Sequence, residues 1–146
     1  MQRINTSVPD CDDWQVTACF YAGLHLINAH ISNAHLQFRK HKDVENAINP
    51  FNRLSPCALP EHVFTAYQKL QVLSRRSRYL VNLKDGKLGD NQAYFTNSKH
   101  FSKALRHLDT LLIYFSEKYG LHFSKVKIRC ADFTSSSEVR FVEKIP

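Results

Sequence analysis

The chain has 146 residues, 43% of them hydrophobic and 23% charged, with only four Gly and five Pro. This predicts one domain over residues 1–146 with a core of its own, and excludes disordered, collagen-like and many-turned sandwich architectures. Twenty Lys and Arg against thirteen Asp and Glu give a net charge of +7 and a pI of about 9.4, so a polyanion is a natural partner, because clustered cations gain affinity by releasing counterions from phosphates.

Residues 1–12 lack the charged start and apolar run of a signal peptide, and no stretch of about 18 apolar residues could span a bilayer, so a cytoplasmic protein with no membrane contact is expected. Cys11, Cys19, Cys57 and Cys130 form no CxxC pair and read as free thiols, with Cys19 buried on the first helix. From Asp13 to Phe38 the pattern predicts one long helix with two apolar faces. At about 100° per residue, Val16, Phe20, Gly23, Ile27, Ala34 and Phe38 share one face, and Trp14, Ala18, Tyr21 and His25 lie nearly opposite. Two such faces need two neighbours, so the second should be covered by a twin subunit or by the third helix.

Lys42 to Ile48 predicts a short helix closed by Asn49-Pro50, since the residue before proline is pushed out of the α region. Pro60 and Glu61 suit a helix start, and the third helix is expected to run to about Asn82. Its inner stripe is Val63, Tyr67, Leu70, Ser74, Ser77 and Val81. Leu83 to Thr96 holds two turn signals and reads as a loop. Asn97 or Ser98 can cap the last long helix, whose apolar set is Phe101, Ala104, Leu105, Leu108, Leu112, Phe115 and Tyr119, and Gly120 is a natural stop. Beyond it Val126, Ile128 and Cys130 alternate with Lys125, Lys127 and Arg129, and Val139 to Ile145 could return as a strand. The expected fold is therefore all-α, an antiparallel four- to five-helix up-and-down bundle over residues 12–119. A small basic β-hairpin or extended tail follows over residues 121–146.

The residues alone name no reaction. His25, His30, His35 and His41 recur every five or six positions, which leaves no i, i+4 pair to chelate from one helix face, and His62 and His107 stand alone, so no metal is expected. There is no Gly-rich phosphate loop and no GxSxG elbow, and no cofactor is expected. Three basic clusters stand out: Arg39-Lys40-His41-Lys42, Arg75-Arg76 with Arg78, and Lys125-Lys127-Arg129. Within Ser74-Arg75-Arg76-Ser77-Arg78-Tyr79, Arg78 falls near the apolar stripe while Arg75 and Arg76 point outward. Arg78 should either pair with Asp12, Asp13 or Glu45, or face a groove and bind phosphate through its fork.

The segments Asp13-Trp14-Gln15-Val16-Thr17-Ala18 and Phe20-Tyr21-Ala22-Gly23-Leu24-His25-Leu26-Ile27-Asn28-Ala29, then His41, then Ser74-Arg75-Arg76-Ser77-Arg78-Tyr79, together resemble the HEPN superfamily of small helical domains. The closer likeness is to uncharacterised prokaryotic HEPN-like proteins, over residues 12–119. The resemblance implies an antiparallel helical bundle, commonly a homodimer, in a superfamily rich in RNA-cleaving toxins of toxin–antitoxin systems and in nucleotide-binding partners. Its nuclease members carry an Arg, four to six residues, then a His near the start of the last long helix. No arginine here is followed at that spacing by histidine, although His100 stands nearby.

Two readings follow. The first is a non-catalytic module that binds RNA, a nucleotide or a cognate protein partner, with Arg75, Arg78, Tyr79, Arg39 and Lys40 meeting phosphates. The second is a metal-independent endoribonuclease with rearranged residues. There His41 or His25 would serve as general acid/base, Arg78 would stabilise charge developing on the phosphoryl group, and Tyr21 and Tyr79 would assist. A purely structural or antitoxin-like interaction protein is a third.

Overall fold

The computed structural model describes residues 11–79, 98–133 and 139–145; the side chain of Tyr79 falls outside that description. Described in chain order are helices α1 (Asp12–Ser32), α2 (His41–Ile48), α3 (Glu61–Tyr79) and α4 (Ser98–Tyr119), then strands β1 (Val126–Ile128) and β2 (Val142–Lys144). The protein is thus mostly helical, with one small two-stranded sheet. The expected loop at Leu83 to Thr96, the cap Asn97 and the stripe residue Val81 lie outside the described residues. No described helix is long and apolar enough to cross a membrane.

Helices α1, α3 and α4 pack against one another pairwise, and α2 packs on α1. Val16, Phe20 and Ile27 of α1 meet Val63, Tyr67 and Leu70 of α3 and Phe101, Leu105 and Phe115 of α4 in one core from which water is excluded. Each such side chain stabilises the fold by about 1.5–3 kcal/mol relative to exposure. The inner stripe of α3 lies where its spacing placed it, with Ser74 and Ser77 buried in it. On α4 the stripe is displaced by one residue, with Leu111 fully buried and Leu112 only partly, and its last expected member, Tyr119, is exposed. The displacement follows from Gly23, where a Cβ would stand 2.8 Å from Leu111 Cδ1 and 3.2 Å from Leu70 Cδ1. Leu111 fills the space that a larger residue on α1 would have occupied.

Helix α1 stops at Ser32, short of the expected Phe38. His35 takes φ 58°, and backbone bonds from Leu36 N to Ile31 O (3.4 Å) and from His35 N to Ser32 O (2.9 Å) close a left-handed C-terminal motif. Leu36 and Phe38 still pack on the core from outside the helix, so the apolar pattern outlasts the helical backbone. In α2, Asn49 is extended (φ −71°, ψ 115°) ahead of Pro50. Its last carbonyls are taken by the returning loop, Cys57 N to Ala47 O and Leu59 N to Ile48 O, both at 3.0 Å.

The second face of α1 is not covered by α3. Trp14 is 63% and Tyr21 40% exposed, and His25 is exposed as well.

The C-terminal strands pair in parallel, Val126 with Val142 and Ile128 with Lys144, which corrects the expected hairpin. A parallel pair cannot be joined by a tight turn and needs about a dozen residues between its strands, and Ile128 and Val142 are separated by 13 residues in sequence. Ile128 and Cys130 are buried while Lys125, Lys127 and Arg129 face solvent, as the alternation predicts. The buried carboxylate of Asp109 on α4 holds the crossover's end, accepting from the backbone N–H groups of Arg140 and Phe141 at 2.8 Å each.

Candidate nucleic-acid interface

Arg78 occupies the last turn of α3, where a cation is favoured by the negative end of the helix dipole. Its side chain is exposed and lies back along the helix, Nε donating to the Ser74 carbonyl and Nη1 to the Tyr21 hydroxyl, both at 3.4 Å. The guanidinium carbon stands 5.9 Å from the centroid of the Tyr21 ring, a cation–π distance. Of the carboxylates weighed as its partner, Glu45 accepts from Gln68 (2.8 Å) and pairs with Lys42 (3.8 Å), and Asp13 accepts from the Trp14 backbone N–H (2.9 Å). Glu45 and Asp13 are therefore engaged elsewhere, and the Tyr21 hydroxyl and ring are among the contacts of Arg78.

Phe20 connects this pair to His41. Its ring centroid is 5.4 Å from Tyr21, 5.6 Å from His41 and 6.1 Å from Tyr67. His41, the first residue of α2, is half-buried against it. His25, one turn beyond Tyr21, lines a groove of about 640 Å³ together with Asn28, Ser32, His35 and Gln37. The three candidate catalytic side chains thus come from three helices, His41 and Arg78 resting on Phe20 and Tyr21 of α1 and His25 lining a groove further along it. Arg39 and Lys40 are exposed in the turn before α2, with Lys40 at its N-cap (φ −98°, ψ 134°), and Arg75 is exposed on α3. Arg76 does not point outward as expected: it is half-buried and close enough to His100 of α4 to disfavour that imidazole's proton.

A second basic surface went unmarked in the sequence. Between α3 and α4 a groove of about 660 Å³ is lined by Glu61, His62, Thr65, Lys69, His107 and Thr110. His62 and His107, solitary in sequence, share it. Burial lowers the pKa of His107 below 6.5, helped by Lys69, Lys103 and Arg106. His100 is lowered in the same way, by burial and then by Arg76, Lys103 and Lys99. Only helix packing brings residues 69 and 76 beside residues 99–107, so no local motif could reveal them.

All four cysteines are free thiols. Burial pushes the Cys19 thiol up to about 12 and raises Cys57 and Cys130, which suits core residues and not nucleophiles. Among the described residues no group of three or more His, Cys, Asp or Glu is placed to hold a metal ion. What the surface can do is present guanidinium and ammonium groups beside exposed aromatic faces, the chemistry that receives phosphates and stacked bases. Comparison with known protein families, with curated proteins and with solved structures finds no match.

Proposed function

We propose that the chain is a HEPN-like, non-catalytic binding module: an antiparallel up-and-down helical bundle that pairs with a second copy and holds RNA or a nucleotide by its phosphates. On this reading Arg78 and Arg75 of α3 meet the phosphates, joined by Tyr79 and by Arg39 and Lys40 of the turn before α2. The observation that carries this reading is the exposed Arg78 guanidinium set 5.9 Å from the Tyr21 ring on the same helix as the exposed Arg75. A guanidinium beside an aromatic face presents the planar fork that a bidentate phosphate takes. The separate settings of His25 and His41, together with the missing Arg-x4–6-His spacing, favour binding over cleavage.

The test is a mobility shift with labelled single-stranded RNA at low salt in EDTA. Intact RNA should shift, affinity should fall steeply with added salt, and Arg78→Ala should weaken binding about tenfold, with Arg78→Lys recovering little of it. Absence of any shift at low ionic strength ends the proposal. RNA cleavage in EDTA that disappears in Arg78→Ala or His41→Ala would replace it with the ribonuclease reading.

A further inference from the structure

The return of the chain after α1 builds a groove with two unlike walls. His25, Asn28 and Ser32 stand at i, i+3 and i+7 on the outer face of α1, and the other wall is the segment of residues 35–38 that follows the helix end. Leu36 and Phe38 are half-buried on the core and give the groove its apolar part, while Gln37 is exposed. Asn28 is half-buried in the opposite wall. Among the described residues neither the Asn28 nor the Gln37 side-chain amide has a hydrogen-bond partner. At about 640 Å³ the groove falls within the range of small-ligand sites, about 300–1,000 Å³.

Two features select the kind of ligand. The lining contains no Lys, Arg, Asp or Glu, so it suits an uncharged group with hydrogen-bonding edges rather than a phosphate. His35 is the second. It holds φ 58°, a conformation that glycine adopts without penalty, and its exposed side chain is not needed by the core, yet that side chain lines the groove. A side chain kept where the backbone disfavours it points to a use outside the fold.

We infer that the groove takes one unstacked adenine base of the bound RNA or nucleotide, with the Asn28 and Gln37 amides on its edges and the His35 ring against its face. A side-chain amide offers one donor and one acceptor, the complement of adenine's N6 amino group and the ring nitrogen beside it. Adenine has a ring acceptor on each side of N6, so an amide from each wall can engage the same base. Leu36 and Phe38 supply the apolar surface that an extruded base needs, and imidazole is among the rings on which such bases stack. The phosphates lie toward Tyr21. That residue is one turn, about 6 Å, before His25 on α1, and Arg78 donates to its hydroxyl. Arg39 and Lys40 join Phe38 of the groove to His41, whose ring is 5.6 Å from that of Phe20 beside Tyr21. Both sets of cations therefore attach at the Tyr21 end, and the neutral groove continues from it, as a nucleotide's own charge and base are arranged.

The inference rests on the phosphate contacts of the proposed function and adds the base, and the two can fail separately. The experiment measures binding of the full chain at low salt to fluorescein-labelled oligouridylates that differ at one central position, which carries adenosine, guanosine, cytidine, uridine or no base. The adenosine probe should bind about fivefold or more tighter than the others, the discrimination of one good bidentate contact. Asn28→Ala with Gln37→Ala should bind every probe alike, at the affinity that the wild type shows for the probe without a base, and circular dichroism confirms its fold. His35→Gly should resist urea better than wild type and still lose part of the adenosine preference, a loss that unfolding cannot explain. Arg78→Ala should weaken all the probes by one factor and keep the preference.

Equal binding of all the probes by the wild type, or a preference for another base, overturns the inference and leaves the phosphate reading standing. So does an adenosine preference undiminished in the double-amide variant or in His35→Gly. An adenosine preference beside an Arg78→Ala that binds normally keeps the base site and removes Arg78 from the phosphates. A wild type that binds no probe at low salt removes both.

Discussion

The Tyr119 hydroxyl and Nδ1 of His30 lie 2.6 Å apart, joining the last turn of α4 to the end of α1, and Nε2 of the same ring is 3.1 Å from the Cys57 carbonyl in the loop before α3. A carbonyl can only accept, so Nε2 carries the proton and Nδ1 accepts from Tyr119. The neutral ring satisfies three segments at once. Burial, with Lys118 nearby, lowers the His30 pKa below 6.5, against a smaller opposing contribution from the Cys57 hydrogen bond. A depressed histidine pKa means that the unfolded chain binds protons first. Stability should therefore be unaffected well above pH 6.5, and should fall as pH drops from 6.5 toward the lower folded-state value. His100 and His107 shift in the same direction, so His30→Gln should reduce the acid sensitivity of urea unfolding without abolishing it. An unchanged pH profile in that variant would refute the lowered pKa of His30 as a source of acid sensitivity.

The two long helices with described C-terminal turns, α1 and α4, end in the same backbone motif on different residues. Gly120 takes φ 64° after α4, with Leu121 N bonded to Ser116 O at 3.1 Å, and His35 takes φ 58° after α1. Glycine adopts this region without penalty, while a side chain costs about 1–2 kcal/mol there. His35 is exposed, so removing its ring loses little packing. His35→Gly should stabilise the protein by about 0.5–1 kcal/mol, the strain relieved less the extra freedom of the unfolded glycine. The urea midpoint should rise at constant m-value.

That pair of helix ends marks where the sequence could be read and where it could not. Gly120 announces a stop because glycine is the usual left-handed residue, whereas His35 announces nothing, and Ala34 and Phe38 prolong the apolar period past Ser32. Periodicity reports which side chains reach the core, and Leu36 and Phe38 reach it from a turn as well as they would from a helix. The α3 stripe was legible because spacing alone places Val63, Tyr67 and Leu70 on one face. Strand alternation likewise gave the buried side of β1, but the direction of its partner depends on how the crossover packs. At the candidate sites, Arg78 was visible as a cation at the edge of an apolar stripe, and its resting place on Tyr21 was not. Lys69, His100, Lys103 and His107 gave no signal, since only the packing of α3 on α4 assembles them.

Asp109 should matter more than its surface-like chemistry suggests. Its carboxylate is buried on α4 and accepts two 2.8 Å bonds from consecutive backbone N–H groups, at Arg140 and Phe141. Those bonds fix the entry to β2, whose neighbour Phe141 packs edge-on against Phe123 at 5.6 Å. Asp109→Ala leaves two N–H groups without their acceptor and should cost about 2–4 kcal/mol. Asp109→Asn retains one acceptor oxygen and should cost roughly half as much. Hydrogen exchange at Arg140 and Phe141 should accelerate in both, ahead of the α1 core. Equal protection in Asp109→Ala and wild type would show that β2 is held by other contacts.

Trp14 is the chain's one tryptophan and is 63% exposed on the face of α1 that also carries Ala18, Tyr21 and His25. A large aromatic left in water beside Tyr21 is costly for a lone subunit and is a common anchor when two copies meet. If the second copy covers the Trp14 and Ala18 end of this face and leaves Tyr21 with Arg78 open to phosphate, Trp14 fluorescence should shift to the blue and resist acrylamide as concentration rises, in step with dimer formation by sedimentation equilibrium. Trp14→Ala removes little from the subunit's own core, so its unfolding at low concentration should match wild type. Its dimer dissociation constant should rise by about tenfold or more, the usual consequence of truncating an anchor residue. A chain that sediments as a monomer at every concentration, with Trp14 freely quenched, would leave this face to a different occupant and the pairing of copies without support.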